Sequence, residues 1–201
     1  MAKGPRYCVP FRRRRKGKTD YKARKALLLS GKPRLVVRDS LNNMIAQIII
    51  AKADGDEVAA SAHTRQLTRD HGWKAPTGNI PAAYLTGLLC GMKAKAKGID
   101  SMILDIGLSS PSRGAAVFAT LKGVLDAGVK VPCSEEKLPN KERIEGQHIA
   151  RYASILAPNQ EEYQTSFSKY LEKKLPPENL PSHFAEVKKN ITETFRGGDK
   201  P

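Results

Sequence analysis

An α/β body, preceded by a strongly basic arm and followed by a helical extension, is the fold class this sequence predicts. Three observations predict it. Short β-branched runs alternate with turn signals between residues 35 and 61. A long apolar pattern at helical spacing then separates those runs from a further strand-like one. The charge, finally, is unevenly spread. The 201 residues include 35 Lys or Arg and 20 Asp or Glu, a net charge of +15, yet residues 1–38 hold 14 bases against the single acid Asp20. That arm carries +13, the stretch 39–133 carries +2, and 134–201 is neutral. Such an arm on a near-neutral remainder points to a polyanion met at the N-terminal end.

In chain order, Pro5, Pro10 and Gly17 break local structure, and the adjacent cations Arg12 to Lys16 repel one another, so the free arm is expected to be disordered. Thr19-Asp20 offers a cap for a short cationic helix over 21–29, with Gly31 and Pro33 as its stop. Residues 35–37, 44–50 and 57–61 read as three strands. The turns between them, Leu41-Asn42-Asn43 and Asp54-Gly55-Asp56, are short enough to imply an antiparallel meander. Asn79 can cap the next helix, and Pro81 is tolerated in its first turn. Its apolar residues Tyr84, Leu85, Leu88, Leu89 and Met92 recur at helical spacing. Lys93, Lys95 and Lys97 suit its C-terminal dipole, and Gly98 stops it. Residues 101–106 form a buried-type strand, 115–127 a helix and 129–131 a last strand. A helix between strands favours a sheet covered by helices.

From Ser134, Pro139, Pro158, Pro176, Pro177 and Pro181 punctuate three amphipathic helices over 142–156, 160–174 and 183–195. Asn159 and Glu162 stand at capping-box spacing before the second of them. Their balanced charge gives no field for phosphate, so they are expected to pack on the body or on a neighbouring protein. The chain thus divides into a basic arm (1–31), an α/β body (32–133) and a helical extension (134–201).

Several function classes are excluded. The longest apolar run, residues 44–51, is interrupted by Gln47 and is too short for a bilayer span. No apolar stretch follows the N-terminal charges, so no signal peptide is expected. Cys8, Cys90 and Cys133 are few, odd in number and far apart, which suggests free thiols in a reducing compartment. His63, His71, His148 and His183 form no ligand-spaced cluster, so neither metal nor cofactor is expected. Aromatics make up only 6% of the chain, few for a protein that reads bases mainly by stacking.

Candidate chemistry is sparse. The loop from Gly107 to Gly114 joins a strand to a helix. Ser109, Ser110, Ser112 and Arg113 there either offer N–H groups and a charge to an RNA phosphate or simply connect two elements. The loop lacks the glycine patterns of nucleotide sites, so no small-molecule substrate is expected. The element order, three antiparallel strands and then helix, strand, helix, resembles the first part of ribonuclease-H-like folds. Such enzymes cluster carboxylates around paired divalent ions. Here only Asp39 and Asp105 fall on suitable positions, and the helix over 79–97 carries no acid, so strand-end aspartates bonded to backbone are the better reading. Cys90 reads as a small core residue, and Trp73 is expected to pack on the body rather than on a base. A generic nucleic-acid chaperone is the remaining competitor.

Ten pieces of sequence, in order, resemble the large-subunit ribosomal protein L-eighteen family, in the archaeal branch that shares its plan with the eukaryotic equivalent. They begin with Gly4-Pro5-Arg6-Tyr7, the run of four arginines from Arg12, and Thr19-Asp20-Tyr21. They continue through Ser30 to Val37, Ala75-Pro76-Thr77-Gly78-Asn79, and Ala83 to Leu89. They end with Leu104-Asp105-Ile106-Gly107-Leu108, Asp126-Ala127-Gly128, His148-Ile149-Ala150-Arg151-Tyr152, and Leu180-Pro181-Ser182-His183-Phe184. The resemblance covers nearly the whole chain. It implies a non-enzymatic constituent of the cytoplasmic ribosome that binds 5S ribosomal RNA and helps attach it to the large rRNA in the central protuberance. Neighbouring ribosomal proteins are implied as partners, with no membrane, no cofactor and no homo-oligomer. RNA contact carries over to Lys3, Arg6, Tyr7, Arg12, Arg13, Arg14, Arg15, Lys16, Lys18, Tyr21, Lys22, Arg24 and Lys25 of the arm. It carries over also to Lys32 and Arg34 at the approach to the first strand. Tyr7, Phe11 and Tyr21 are placed either to stack on unpaired bases or to touch the protein itself. The near-neutral body and extension carry no such transfer.

Overall fold

The structure, a computed structural model that describes residues 4–196, is built on one four-stranded sheet. Strands β1 (Arg34–Asp39), β2 (Met44–Lys52) and β3 (Gly55–His63) form the antiparallel meander, and β4 (Ile103–Asp105) joins parallel to β1, giving the order β3-β2-β1-β4. The last strand expected over 129–131 is not one. Ser101 and Lys130 make a single parallel bridge, and the chain then leaves the sheet. The sheet therefore stops at four strands.

Period-two alternation sorts the strands' side chains onto two faces. Leu35, Val37, Met44, Ala46 and Ile48 lie on the buried face. Two helices cover it, α4 (Ile80–Ala96) and α5 (Ala116–Asp126). Helix α4 starts where Asn79 accepts from the Ala82 N–H at 2.9 Å, as expected of a cap. It is buried almost all round, because α5, the sheet and the extension each take one side. Its backbone comes unusually close to that of α5. A Cβ on Gly87 would sit 1.9 Å from the Thr120 carbonyl oxygen, and one on Gly123 would sit 2.2 Å from that of Tyr84. Two glycines facing each other's helix let the backbones pack where any side chain would hold them apart.

The edge strand β3 carries a bulge opposite Ile48 and Ile49, which leaves Ala59 outside the ladder. Lys97 Nζ donates to the Ala59 carbonyl at 2.5 Å, and Lys93 Nζ to that of Ser61 at 3.1 Å. The C-terminal lysines of α4 thus occupy acceptors that an open edge would offer to another strand.

Helix α3 (Thr64–Asp70) was not anticipated, since no Ser, Thr, Asp or Asn stands at its cap. His63 takes that role. Its Nδ1 accepts from the Arg65 N–H at 3.0 Å, while the Gln66 side chain accepts from the His63 N–H at 3.1 Å.

In the extension, the helix expected over 142–156 is two, α6 (Lys141–Ile144) and α7 (Gln147–Leu156), broken at Gly146, whose φ of 83° lies in the left-handed region. Helix α8 (Gln160–Glu172) kinks at Phe167, and Asn159 makes no side-chain cap, so the capping-box spacing with Glu162 goes unused. Helix α9 (Leu180–Arg196) begins three residues before the expected His183, with Pro181 in its first turn. These helices pack on the body, one of the two homes expected of them. Ile144, Ala153, Phe167, Leu180, Phe184 and Ile191 are continuous with the core around α4. Trp73, 1% exposed, stacks on His183 at 5.3 Å and donates Nε1–H to the Pro76 carbonyl, as expected of a packing indole. Among the described residues no helix is long and apolar enough to cross a membrane.

Candidate nucleic-acid interface

The second face of the sheet has no helical layer like α4 and α5. Over it stands the arm, and between them lies a cleft of about 850 Å³. The four arginines form a single helical turn, α1 (Arg12–Arg15), in which no residue is buried. Adjacent guanidiniums destabilise such a turn. It is held instead by its own backbone bonds and by Arg13 Nε, which donates to Thr19 Oγ1 at 2.8 Å. Asp20 then caps α2 (Tyr21–Leu28), accepting from the Lys22 and Ala23 N–H groups at 2.9 and 3.1 Å. Arg6, Arg12, Arg14, Arg15, Lys16, Lys18, Lys22, Lys25 and Lys32 are exposed. Tyr7 is exposed too, while Phe11 and Tyr21 pack on each other with ring centroids 5.0 Å apart. Lys3 lies outside the described residues.

Three arginines behave differently from this outward set, and two carboxylates explain why. Arg24 grips Asp56 with both terminal nitrogens, Nη1 to Oδ2 at 2.8 Å and Nη2 to Oδ1 at 2.9 Å. Arg34 Nη2 reaches the same Asp56 Oδ2 at 2.8 Å, and its Nη1 reaches Asp105 Oδ2 at 2.8 Å. Arg38 Nη2 donates to Asp105 Oδ1 at 3.0 Å, and its Nη1 to the Asp105 carbonyl at 2.8 Å. The Gly107 N–H completes the Asp105 carboxylate at 2.9 Å. The result is one alternating chain, Arg24–Asp56–Arg34–Asp105–Arg38, running from the arm helix across the open face. The Arg24 hydrogen bonds hold the Asp56 carboxyl below its ordinary range and raise the Arg24 guanidinium in turn.

Arg34 therefore corrects the expectation placed on it. At 3% exposure and with two carboxylates attached, it has no surface to offer a phosphate. The two acids of the nuclease reading differ in their surroundings, Asp105 being buried and Asp39 exposed. Asp105 is taken by two guanidiniums and a backbone N–H, and Asp39 accepts from Ser109 Oγ at 3.0 Å. The bonds to Asp105 are largely to side chains, where backbone partners alone were expected. Among the described residues no three His, Cys, Asp or Glu side chains gather as a metal site.

The loop after β4 divides. Gly107 and Leu108 line the cleft. Beyond them, Arg113 Nε donates to the Glu136 carbonyl at 2.8 Å, and Lys137 Nζ returns a bond to the Pro111 carbonyl at 3.1 Å. This ties the stretch holding Ser110, Ser112 and Arg113 to the turn over Glu135–Lys137 rather than to the arm. Two cleft residues were missed in the sequence. Arg38, with its side chain 43% exposed, and Gln47 both line the cleft beside Arg13 and Lys18. Period-two spacing from Arg34 through Val36 to Arg38 was the available signal. Cys90 is buried under β2, with its Sγ 3.7 Å from the Ala46 carbonyl, and burial pushes its thiol up to about 12, which removes it from nucleophilic chemistry at neutral pH.

Residues 5–101 match the model of a family described as ribosomal large subunit proteins 60S L5 and 50S L18. The match spans the arm, β1 to β3, α3 and α4, and stops before β4.

Proposed function

On the premise that residues 5–101 make this chain an L18/L5e-type large-subunit ribosomal protein, a structural constituent with rRNA and ribosomal proteins as partners, we propose that it binds 5S rRNA and helps attach it to the large rRNA in the central protuberance. The observation that carries this reading is the sorting of the arm's cations. Arg24 reaches the body and is paired with Asp56, while Arg13 and Lys18 line the cleft. Those facing outward, Arg12, Arg14, Arg15, Lys16, Lys22 and Lys25, have only Asp20 near them, and that acid is committed to the α2 cap. A surface that leaves one sign of charge exposed and cancels the rest is organised for phosphate.

Arginines of α1 fork phosphate oxygens where two RNA backbones approach, and the lysines add point charges along α2. RNA shape and unpaired bases supply the specificity, since a side chain cannot read paired bases in the deep groove of an A-form helix. The helical extension, electrically neutral and seated on α4, serves the body and the neighbouring proteins rather than RNA. The body contributes no catalysis in this reading: Asp105 is held by Arg34 and Arg38, which leaves Asp39 as the one solvent-facing acid of the pair. The ribonuclease-H-like likeness enters this reading as one of architecture only, carried by the antiparallel β1 to β3 and the later β4 and α5, with the short α3 inserted before α4.

The test is a salt-titrated binding comparison of 5S rRNA with a length-matched unrelated RNA. With about 6–10 phosphates engaged, affinity for 5S rRNA falls by roughly 10³–10⁵ between 50 and 200 mM salt. The double variant Lys22→Ala/Lys25→Ala flattens the log–log slope by about 2. Equal affinity for both RNAs would instead identify a generic chaperone.

A further inference from the structure

Resting on the RNA-binding reading above, we propose that Asp56 is a positioning residue for RNA. Its carboxylate docks α2 on the sheet and so holds the outward cations of the arm in one fixed array.

Four observations carry this. No residue of α2 is buried, and a cleft separates much of the helix from the sheet, so apolar packing does little to fix it. What does reach across is Arg24, and it does so with a two-point fork that fixes direction as well as distance. The anchor is itself rigid. Asp56 lies at the start of β3, paired with Ala51, and its Oδ2 also accepts from Arg34, which is buried and bonded onward to Asp105. Finally, Lys22 and Lys25 lie three residues apart on one face of α2, which Arg24 does not share. Pinning Arg24 therefore aims that lysine pair outward together. A cationic segment already ordered in the free protein spends less of its binding energy on ordering when it meets RNA.

The sign of one substitution separates this from simple electrostatics. Asp56→Asn removes a negative charge from the face that meets RNA. If Asp56 only contributed charge, its loss would strengthen binding. If it positions the arm, its loss weakens binding.

The experiment uses the full chain and its Asp56→Asn, Asp56→Glu and Arg24→Lys variants. It measures 5S rRNA affinity across a salt series and, without RNA, the rate of trypsin cleavage after Lys22 and Lys25. We expect Asp56→Asn to be cut faster and to bind about tenfold more weakly, with an unchanged salt slope because no phosphate-facing cation has been removed. Asp56→Glu recovers part of the affinity. Arg24→Lys keeps every charge and leaves the Asp56–Arg34 pair intact, but gives up the fork. It weakens binding and speeds cleavage in the same direction, even if Asp56→Asn disturbs the body. Binding by Asp56→Asn and Arg24→Lys as tight as wild type, or cleavage no faster, overturns the inference while leaving the RNA-binding reading in place. A wild-type chain with no affinity for RNA would overturn both.

Discussion

Arg34 and Asp105 meet at 2.8 Å across the parallel pair β1–β4, with only 3% and 8% of their side chains exposed. A pair this deep is costly to desolvate, and it is tolerable here because each partner has further bonds. Asp105 accepts also from Arg38 and the Gly107 N–H, and Arg34 donates also to Asp56. Only Arg34 Nε is left without a partner among the buried side-chain atoms described. Removing one member strands the other. Asp105→Ala is expected to destabilise the fold by about 3–5 kcal/mol, read from urea unfolding of the whole chain. A loss below about 1 kcal/mol would mean the site relaxes to admit water.

The crossing of α4 and α5 gives a second prediction. The Cβ of Gly87→Ala would fall on the Thr120 carbonyl, which is backbone and cannot swing aside. The helices must separate, at a cost of about 1–3 kcal/mol or more by overpacking. A thermal melt of this variant is expected well below wild type, whereas Gly98→Ala, with open space around its Cβ, is affected only by its left-handed backbone.

His183 ties the extension to the body and makes that tie sensitive to acid. Its Nε2 accepts from the Lys74 N–H at 3.0 Å, a bond only the neutral ring can make. Glu186 stands beside Nδ1 at 3.5 Å, yet burial outweighs it and lowers the imidazole below its ordinary value. His63, His71 and His148 are lowered by burial as well. A lowered histidine binds its proton more readily in the unfolded chain. Its contribution is therefore complete above about pH 6.5 and is lost as pH falls from there through the folded value. The melting temperature is expected to drop between pH 7.5 and 5.5, and to drop less in His183→Gln. A pH-independent melt would contradict this.

The cysteines offer a simple check of topology. Cys8 and Cys133 are exposed, whereas Cys90 is buried with its thiol pushed up to about 12. Titration of the native protein with a thiol reagent is expected to modify Cys8 and Cys133 promptly, and Cys90 only after denaturant is added. Prompt labelling of Cys90 in native buffer would mean that α4 does not lie on β2 as described.

Where the sequence anticipated the structure, the cause was local. Asp20 and Asn79 announce α2 and α4 because a capping side chain bonds N–H groups two or three residues on. The three antiparallel strands and their turns were readable because alternation and turn chemistry act within a few residues. Where it did not, the signal was either unconventional or distant. His63 caps α3 with an imidazole nitrogen, and Asn159 stands at the right spacing but makes no cap. The short β4 and the solitary bridge at Lys130 depend on how far two segments happen to run side by side.

The charge map shows the same boundary. By itself the sequence determined that a +13 arm precedes a near-neutral remainder, because charge is a property of residue identity and needs no fold. It could not tell which of those cations remain outward. Arg34 is separated from Asp56 by 22 residues and from Asp105 by 71, and Arg24 from Asp56 by 32. Only the closing of the sheet and the laying of α2 across it bring those carboxylates within reach. Burial and pairing are relations between distant parts of a chain. That is why tertiary structure alone decides that Arg24, Arg34 and Arg38 hold the arm and the open face together, while Lys22, Lys25, Arg12, Arg14 and Arg15 face outward.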